Sequence, residues 1–260
     1  MFVGAFDAGW EGHESATYKM MRTPRFERGR AVIEAELKAC VHAPQEALRR
    51  LDERAEGRVE VYQDTYYDTV DGTLEARDEE LRVRTVHGPE ETRTLLTYKG
   101  ARVDEESGSK PEHETRVENA EAVHATLRGL GYVPAIAFEK RCRNYSFQAR
   151  GRQMLATLVR VPELDGTFLE LETQVEEKHV PAALDDIRTV LAELGIGPDD
   201  LTTELYTAAV KAHRLNETAR NLVRKCGYWR TGNGPVVRRA RQPGRHFLRI
   251  SAPECRRTPR

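Results

Sequence analysis

A chain with a side-chain period of two points every other residue to the same face of a strand. In this sequence the polar faces of the alternating segments carry mostly carboxylates and cations. Glu34-Ala-Glu36-Leu-Lys38 sets Glu34, Glu36 and Lys38 on one side and Ile33, Ala35, Leu37 and Ala39 on the other. The habit recurs in Arg82-x-Arg84, in Tyr98-Lys99, in Glu112-x-Glu114 preceded by Lys110, in Lys140, Arg141 and Arg143, and in Glu170-x-Glu172. A strand that simply meets water on its polar face carries a loose mixture of Thr, Ser, Lys and Glu. One E-x-E-x-K or R-x-R segment is an ordinary solvated face. Several of them, with acid and base sorted by strand, point instead to faces that look at one another across an enclosed polar space.

Alternation predicts strands over 31–41, 59–68, 81–86, 92–99, 112–117, 136–147, 154–161 and 167–175. Helical spacing predicts helices over 44–54, with Pro44 in the first turn, and over 120–130, 181–194 and 198–213, the second and third stopped by Gly131 and Gly195. The sum is an α+β chain: an antiparallel barrel of about eight strands, the size at which a sheet closes around a small lumen. Its charged faces turn inward and its apolar faces turn outward under the helices.

Residues 1–29 lack periodicity and are expected to be a flexible leader. The domain spans 30–213, and 214–260 is expected to be a disordered basic tail. The whole chain has net charge −1, but the tail holds 13 basic and 2 acidic residues against 28 and 40 in the rest. The balance argues against a dedicated nucleic-acid binder, with the tail as the one stretch charged for such a partner. No run of ~18 apolar residues suggests a membrane helix, and no signal-peptide core is evident, so a cytoplasmic protein is expected. Cys40, Cys142, Cys226 and Cys255 form no CxxC pair and fit free thiols. His42, His87, His113, His124 and His179 lack ligand spacing, and Tyr62, Tyr66 and Tyr67 fit barrel packing.

Glu34 and Glu36 stand ~7 Å apart on one strand face, a spacing suited to a hard cation such as Mg²⁺ or Mn²⁺. Neighbouring lysines and arginines supply the charge that phosphoryl oxygens require. At this point the residues resemble the CYTH superfamily, which holds class IV adenylyl cyclases and thiamine or inorganic triphosphatases. Glu34-Ala-Glu36-Leu-Lys38 matches its ExExK signature. Gln63-Asp-Thr-Tyr-Tyr-Asp68, Leu81-Arg-Val-Arg84, Leu96-Thr-Tyr-Lys-Gly100, Lys110-Pro-Glu-His-Glu114, Phe138-Glu-Lys-Arg141 with Tyr145, and Gly166-Thr-Phe-Leu-Glu-Leu-Glu172 resemble its later motifs in order. Leu201-Thr-Thr-Glu-Leu-Tyr206 looks like the end of the cyclase branch.

The resemblance implies a triphosphate tunnel that takes a nucleoside or inorganic triphosphate with Mg²⁺ or Mn²⁺. It implies metal ligands among Glu34, Glu36, Glu112, Glu114, Glu170 and Glu172. It implies triphosphate contacts from Lys38, Arg82, Arg84, Lys99, Lys140, Arg141 and Arg143, with Glu34, Glu36, Lys38 and Glu170 as catalytic groups. The sequence departs from the family twice. Counting back from Tyr145, Lys140 and Cys142 take the places of a K-x-R pair, leaving Arg141 and Arg143 on the opposite face; either face can look inward. Val159 stands where the family often has Asp. The expected activity is that of a class IV adenylyl cyclase, ATP to cyclic AMP and pyrophosphate. A triphosphatase is the alternative, and a non-catalytic triphosphate or polyphosphate binder is a third. Homodimerisation is left open.

Overall fold

The computed structural model describes residues 32–105 and 107–227. The expected leader and the chain after 227, with Trp10, Trp229 and Cys255, lie outside them. In chain order the elements are β1 (Val32–Cys40), α1 (Pro44–Asp52), β2 (Arg58–Asp68), α2 (Thr73–Ala76), β3 (Glu80–His87), β4 (Thr92–Lys99), β5 (Lys110–Val117), α3 (Ala120–Gly129), β6 (Val133–Ala149), β7 (Arg152–Arg160), β8 (Phe168–Glu176), α4 (Val180–Glu193) and α5 (Tyr206–Gly227).

The eight strands close into a barrel in the order β1-β5-β4-β3-β2-β6-β7-β8, with every pairing antiparallel. β2 to β5 form one meander and β6 to β8 another. β2 joins them by pairing with β6, and β1 closes the ring between β5 and β8. The β1–β8 seam runs from Val32↔Glu176 to Cys40↔Phe168.

Register then decides where each face goes. Ile33, Ala35, Leu37 and Ala39 point out of the barrel and are at most 2% exposed. Behind the wall they meet Met154, Ala156, Leu169 and Leu171 of the neighbouring strands and Ala183, Leu184, Ile187, Val190 and Leu191 of α4. Ala47 and Leu51 of α1 complete this core. The apolar stripe of α4 recurs every three to four residues, so one helix face covers two strands. The driest part of the molecule is thus outside the barrel, as the inverted alternation requires. Replacing Leu184 by alanine is expected to cost about 2–5 kcal/mol, read as a lower midpoint in a urea melt.

The α1–β2 connection is also sterically fixed. A Cβ on Gly57 would lie 2.7 Å from the Tyr145 ring, which is fully buried. The Tyr145 hydroxyl donates to Asp52 Oδ1 at 2.8 Å, so α1 and β6 are clamped through this one ring.

Two elements differ from expectation. The helix expected over 198–213 is broken: Pro198–Asp200 makes a single 3₁₀ turn, Leu201 bridges to Ala39, and the Thr202 amide donates to the Lys38 carbonyl at 2.9 Å. The end of β1 captures these residues as an extended segment, a use that suits Thr202 and Thr203 better than a helix does. The true helix, α5, begins at Tyr206 and continues past Arg214, where the tail was expected to start. Arg214 is tied to Glu163 at 2.6 and 2.7 Å and to the Ala137 carbonyl at 2.8 Å. The short α2 was not anticipated; Asp68 nucleates it by accepting the Leu74 and Glu75 amides at 2.8 and 3.0 Å. Cys142 is a buried free thiol, whereas Cys40 is disulfide-bonded, against the all-thiol expectation. Among the described residues no helix is long and apolar enough to cross a membrane.

Candidate metal and triphosphate site

The inward face of β1 presents Glu34, Glu36 and Lys38. Pairing with β8 sets Glu36 opposite Glu172 and Lys38 opposite Glu170. Carboxylate oxygens of Glu34, Glu36 and Glu172 lie within 4.8 Å of one another. Lys99, from the end of β4, reaches across and donates to Glu34 at 2.5 Å, with Glu112 of β5 at 3.8 Å. The β4–β5 loop lies over the cluster: the Ser109 hydroxyl accepts the Glu36 amide at 3.3 Å.

The electrostatics of this group are unbalanced. Burial pushes the Glu34 carboxyl up, but the charge and hydrogen bond of Lys99 outweigh it and hold Glu34 well below the usual range. Its neighbours also feel Lys99, but there burial and the other carboxylates outweigh it. Glu36 is pushed up to about 8 by burial and by the charges of Glu170 and Glu34. Glu112 is pushed up to about 9 by burial and Glu34. Glu172 is pushed well above the usual range by burial, Glu34 and Glu36. Such a cluster retains protons near neutrality because it has more carboxylates than nearby cations. The donor set is all hard oxygen, and it converges on one place where the carboxylates outnumber the single ammonium of Lys99. It therefore fits a divalent cation.

A basic zone adjoins it. The Lys140 ammonium lies 3.7 Å from Glu170, and burial and Glu170 set its balance, Glu170 winning to hold it raised. Lys38 and Lys140 sit 4.5 and 4.2 Å from the centre of the same ring, Tyr206, in cation–π range. Lys38 also donates to the Glu204 carbonyl, and burial lowers its affinity for the proton. Arg82 and Arg84 of β3 point into the same lumen. Arg82 reaches Thr97 Oγ1 at 3.3 Å, and Arg84 meets Asp64 at 2.6 and 2.7 Å.

The expected site residues therefore divide. Glu34, Glu36 and Glu172 come together, with Glu112 and Lys99 against them. Glu170 belongs with Lys38 and Lys140 rather than with the carboxylate trio. Glu114 accepts from Thr97 at 2.9 Å, with Arg82 at 3.8 Å, also apart from the trio. Arg141 and Arg143 must be corrected: both lie on the outer face. Arg141 pairs with Glu139 at 3.0 Å with its side chain 69% exposed, and Arg143 pairs with Asp52 of α1 at 2.9 Å. The burial of Tyr145 behind the wall fixes this register, so Lys140, Cys142 and Asn144 face inward. Burial pushes the Cys142 thiol up to about 12, which favours the protonated form, and it lies opposite Val159 in an apolar part of the lumen.

Sequence reasoning missed Tyr206, Asp64 and the Glu60 group. Glu60 is 2% exposed and accepts from Arg93 at 2.8 and 3.2 Å and from Asn144 at 2.8 Å. The alternation Glu60-x-Tyr62-x-Asp64 carried the signal, since it repeats the charged-face habit of the other strands. Tyr206 arrives from beyond the barrel, and spacing gives no sign of that.

A closed barrel lined by a carboxylate trio and a facing set of cations defines a triphosphate tunnel. The chain belongs to the CYTH family, whose domain matches residues 32–206; the family's enzymes are metal-dependent and typically take triphosphates. The chain is similar to a Methanocaldococcus jannaschii protein named "putative adenylate cyclase", with 26% identity over 145 residues covering 55% of this chain and 78% of that protein. A solved Pyrococcus horikoshii structure superposes with TM-score 0.58 and 27% identity, over 66% of this chain and 95% of that one. A Hippeastrum protein described as a "putative adenylyl cyclase" with a dominant triphosphatase activity shares the fold at TM-score 0.50 and 17% identity, over 70% of this chain and 95% of that one.

Proposed function

We propose that the protein is a metal-dependent enzyme of the class IV adenylyl cyclase type, converting ATP to cyclic AMP and pyrophosphate. The carrying observation is the convergence of Glu34, Glu36 and Glu172 within 4.8 Å beside lumen cations. Glu34, Glu36 and Glu172 would hold Mg²⁺ or Mn²⁺, which when bound would supply the positive charge that lowers the pKa of an attacking hydroxyl. Lys38, Lys99, Lys140 and Arg82 hold the phosphoryl oxygens and stabilise charge that builds on the leaving pyrophosphate. Tyr206 keeps Lys38 and Lys140 side by side, so two cations face one ligand. The similarity to the Methanocaldococcus jannaschii protein supports the cyclase reading.

Hydrolysis of a nucleoside, thiamine or inorganic triphosphate is the second reading, favoured by the activity described for the Hippeastrum protein. The residues that bind a triphosphate serve both reactions. The test is incubation of the purified protein with ATP or inorganic triphosphate and Mg²⁺ or Mn²⁺, with products resolved by chromatography. Cyclic AMP with pyrophosphate is the expected result; orthophosphate without cyclic product would replace the cyclase by the triphosphatase. Saturable binding without turnover would leave a binding protein.

A further inference from the structure

We propose, resting on the metal reading above, that Asp78 is a positioning residue for Glu36. From the turn between α2 and β3, its one carboxylate draws both ends of the β4–β5 loop together and so fixes the segment that holds the Glu36 backbone.

Glu36 depends on that loop because β5 leaves β1 early. Their register covers only Ile33↔Pro111 and Glu34↔Lys110. Farther along this edge, backbone groups of Glu36 and Lys38 still need partners. The Lys38 carbonyl takes the Thr202 amide at 2.9 Å. Glu36 takes both of its partners from the loop: its amide donates to Ser109 Oγ at 3.3 Å, and its carbonyl accepts the Gly108 amide at 3.4 Å. A Cβ on Gly108 would stand 3.7 Å from the Glu36 carboxyl carbon, so the loop runs along the metal-binding group itself. Ser107 and Ser109 are at most 1% exposed and joined hydroxyl to hydroxyl at 2.7 Å. The Val103 amide donates to the Ser109 carbonyl at 3.0 Å, which ties the two arms of the loop. The bonds to Glu36 are long and therefore weak, so its placement follows how firmly the loop is held.

Asp78 does the holding. Near the start of the loop, the Arg102 amide, Nε and Nη2 donate to its carboxylate at 3.0, 2.7 and 2.8 Å. At the far end, the Lys110 ammonium donates to the same carboxylate at 3.1 Å, to the Asp78 carbonyl at 2.8 Å and to Glu80 at 2.8 Å. Lys110 is the residue paired with Glu34 across the seam, so this clamp also braces the strand against which Glu34 lies. The hydrogen bonds from Arg102 hold the Asp78 carboxyl below its ordinary range, which keeps the clamp charged at neutral pH. Asp78 has φ of 57°, in the left-handed region that Asp and Asn accept more readily than most residues. Asparagine there keeps the backbone and removes only the charge. Lys110 is not orphaned by the change, since Glu80 and the Asp78 carbonyl remain to it.

The test is Mn²⁺ binding to the full chain by titration calorimetry, well below the melting temperature of every variant, with melts followed by circular dichroism. Asp78→Asn and Arg102→Gln are each expected to weaken Mn²⁺ binding roughly tenfold, the low end of what is lost when a group behind a metal ligand is removed. The double variant is expected to bind no worse than either single one, because both break the same clamp. Arg102→Lys, which can still reach one Asp78 oxygen, is expected to recover part of the affinity. A merely structural role would lower the melt and leave the affinity alone; wild-type affinity in both single variants overturns the proposal, as do losses that add in the double variant. Should Asp78→Asn fail to fold, Arg102→Gln and Arg102→Lys decide by the same readout. A wild-type chain that binds no Mn²⁺ overturns the metal reading itself, and the role of Asp78 with it.

Discussion

Glu34→Ala is expected to reduce metal-dependent turnover by at least about a hundredfold, more than the tenfold to hundredfold typical of a residue behind a metal ligand. Two losses combine. The carboxylate trio falls to a pair, and Lys99 loses the oxygen it meets at 2.5 Å. Lys99 then turns its charge on the remaining carboxylates and opposes a cation. Product chromatography at saturating Mn²⁺ reads the first loss. Activity equal to the wild type would remove Glu34 from the site.

The same cluster predicts a pH dependence. The Glu36 carboxyl is raised from 4.5 to about 8, so the folded metal-free chain holds a proton that the unfolded chain has released. Stability from this group is therefore present below about pH 4.5 and declines as pH rises through about 8. Glu36→Gln removes this group's share of the dependence and leaves that of Glu112 and Glu172. It is expected to abolish metal-dependent activity, and to raise the melting temperature of metal-free protein at pH 8–9 by several degrees, a shift that corresponds to roughly 1–2 kcal/mol in a domain of this size. Equal melting temperatures for variant and wild type at that pH would contradict the assignment.

Asp64→Ala carries the second large effect. It leaves the Arg84 guanidinium buried and unpaired, at a cost of about 3–5 kcal/mol, read by chemical denaturation. The pH sign here is opposite to that of Glu36. Burial pushes the Asp64 carboxyl up, but Arg84 outweighs it and holds the group well below its ordinary 3.8. Its contribution is present above that value and is lost as pH falls below it. The wild type should therefore lose more stability on acidification than the variant in which both Asp64 and Arg84 are neutral. Parallel pH profiles for the two proteins would count against a buried pair.

Much of the wall was legible because alternation is a local signal. Glu34, Glu36 and Lys38 alternate with Ile33, Ala35, Leu37 and Ala39, and the structure places the first set in the lumen and the second under α4. The charged residues singled out on β1, β3, β4, β5 and β8 face the lumen. At β6 only Lys140 does, and Arg141 and Arg143 lie outside. There the sequence offers cations to both faces, and the choice is made by Tyr145 fitting against Gly57 and Asp52, contacts far along the chain. The role of Tyr206 was hidden for the same reason. Its ring reaches Lys38 and Lys140 only because Leu201 and Thr202 dock on the end of β1 first, which also breaks the helix that local spacing predicts.

The wall of this barrel works as two messages written in alternate letters. One set of letters answers to α4 and α1 and is read as dry packing; the other answers to the ligand. A residue change in the second set need not disturb the fit of the first, since Leu37 packs in the core behind the wall while Lys38 meets Tyr206 and Glu204 on the other side. Such a scaffold can exchange one phosphate chemistry for another by rewriting every second position and leave its foundations untouched.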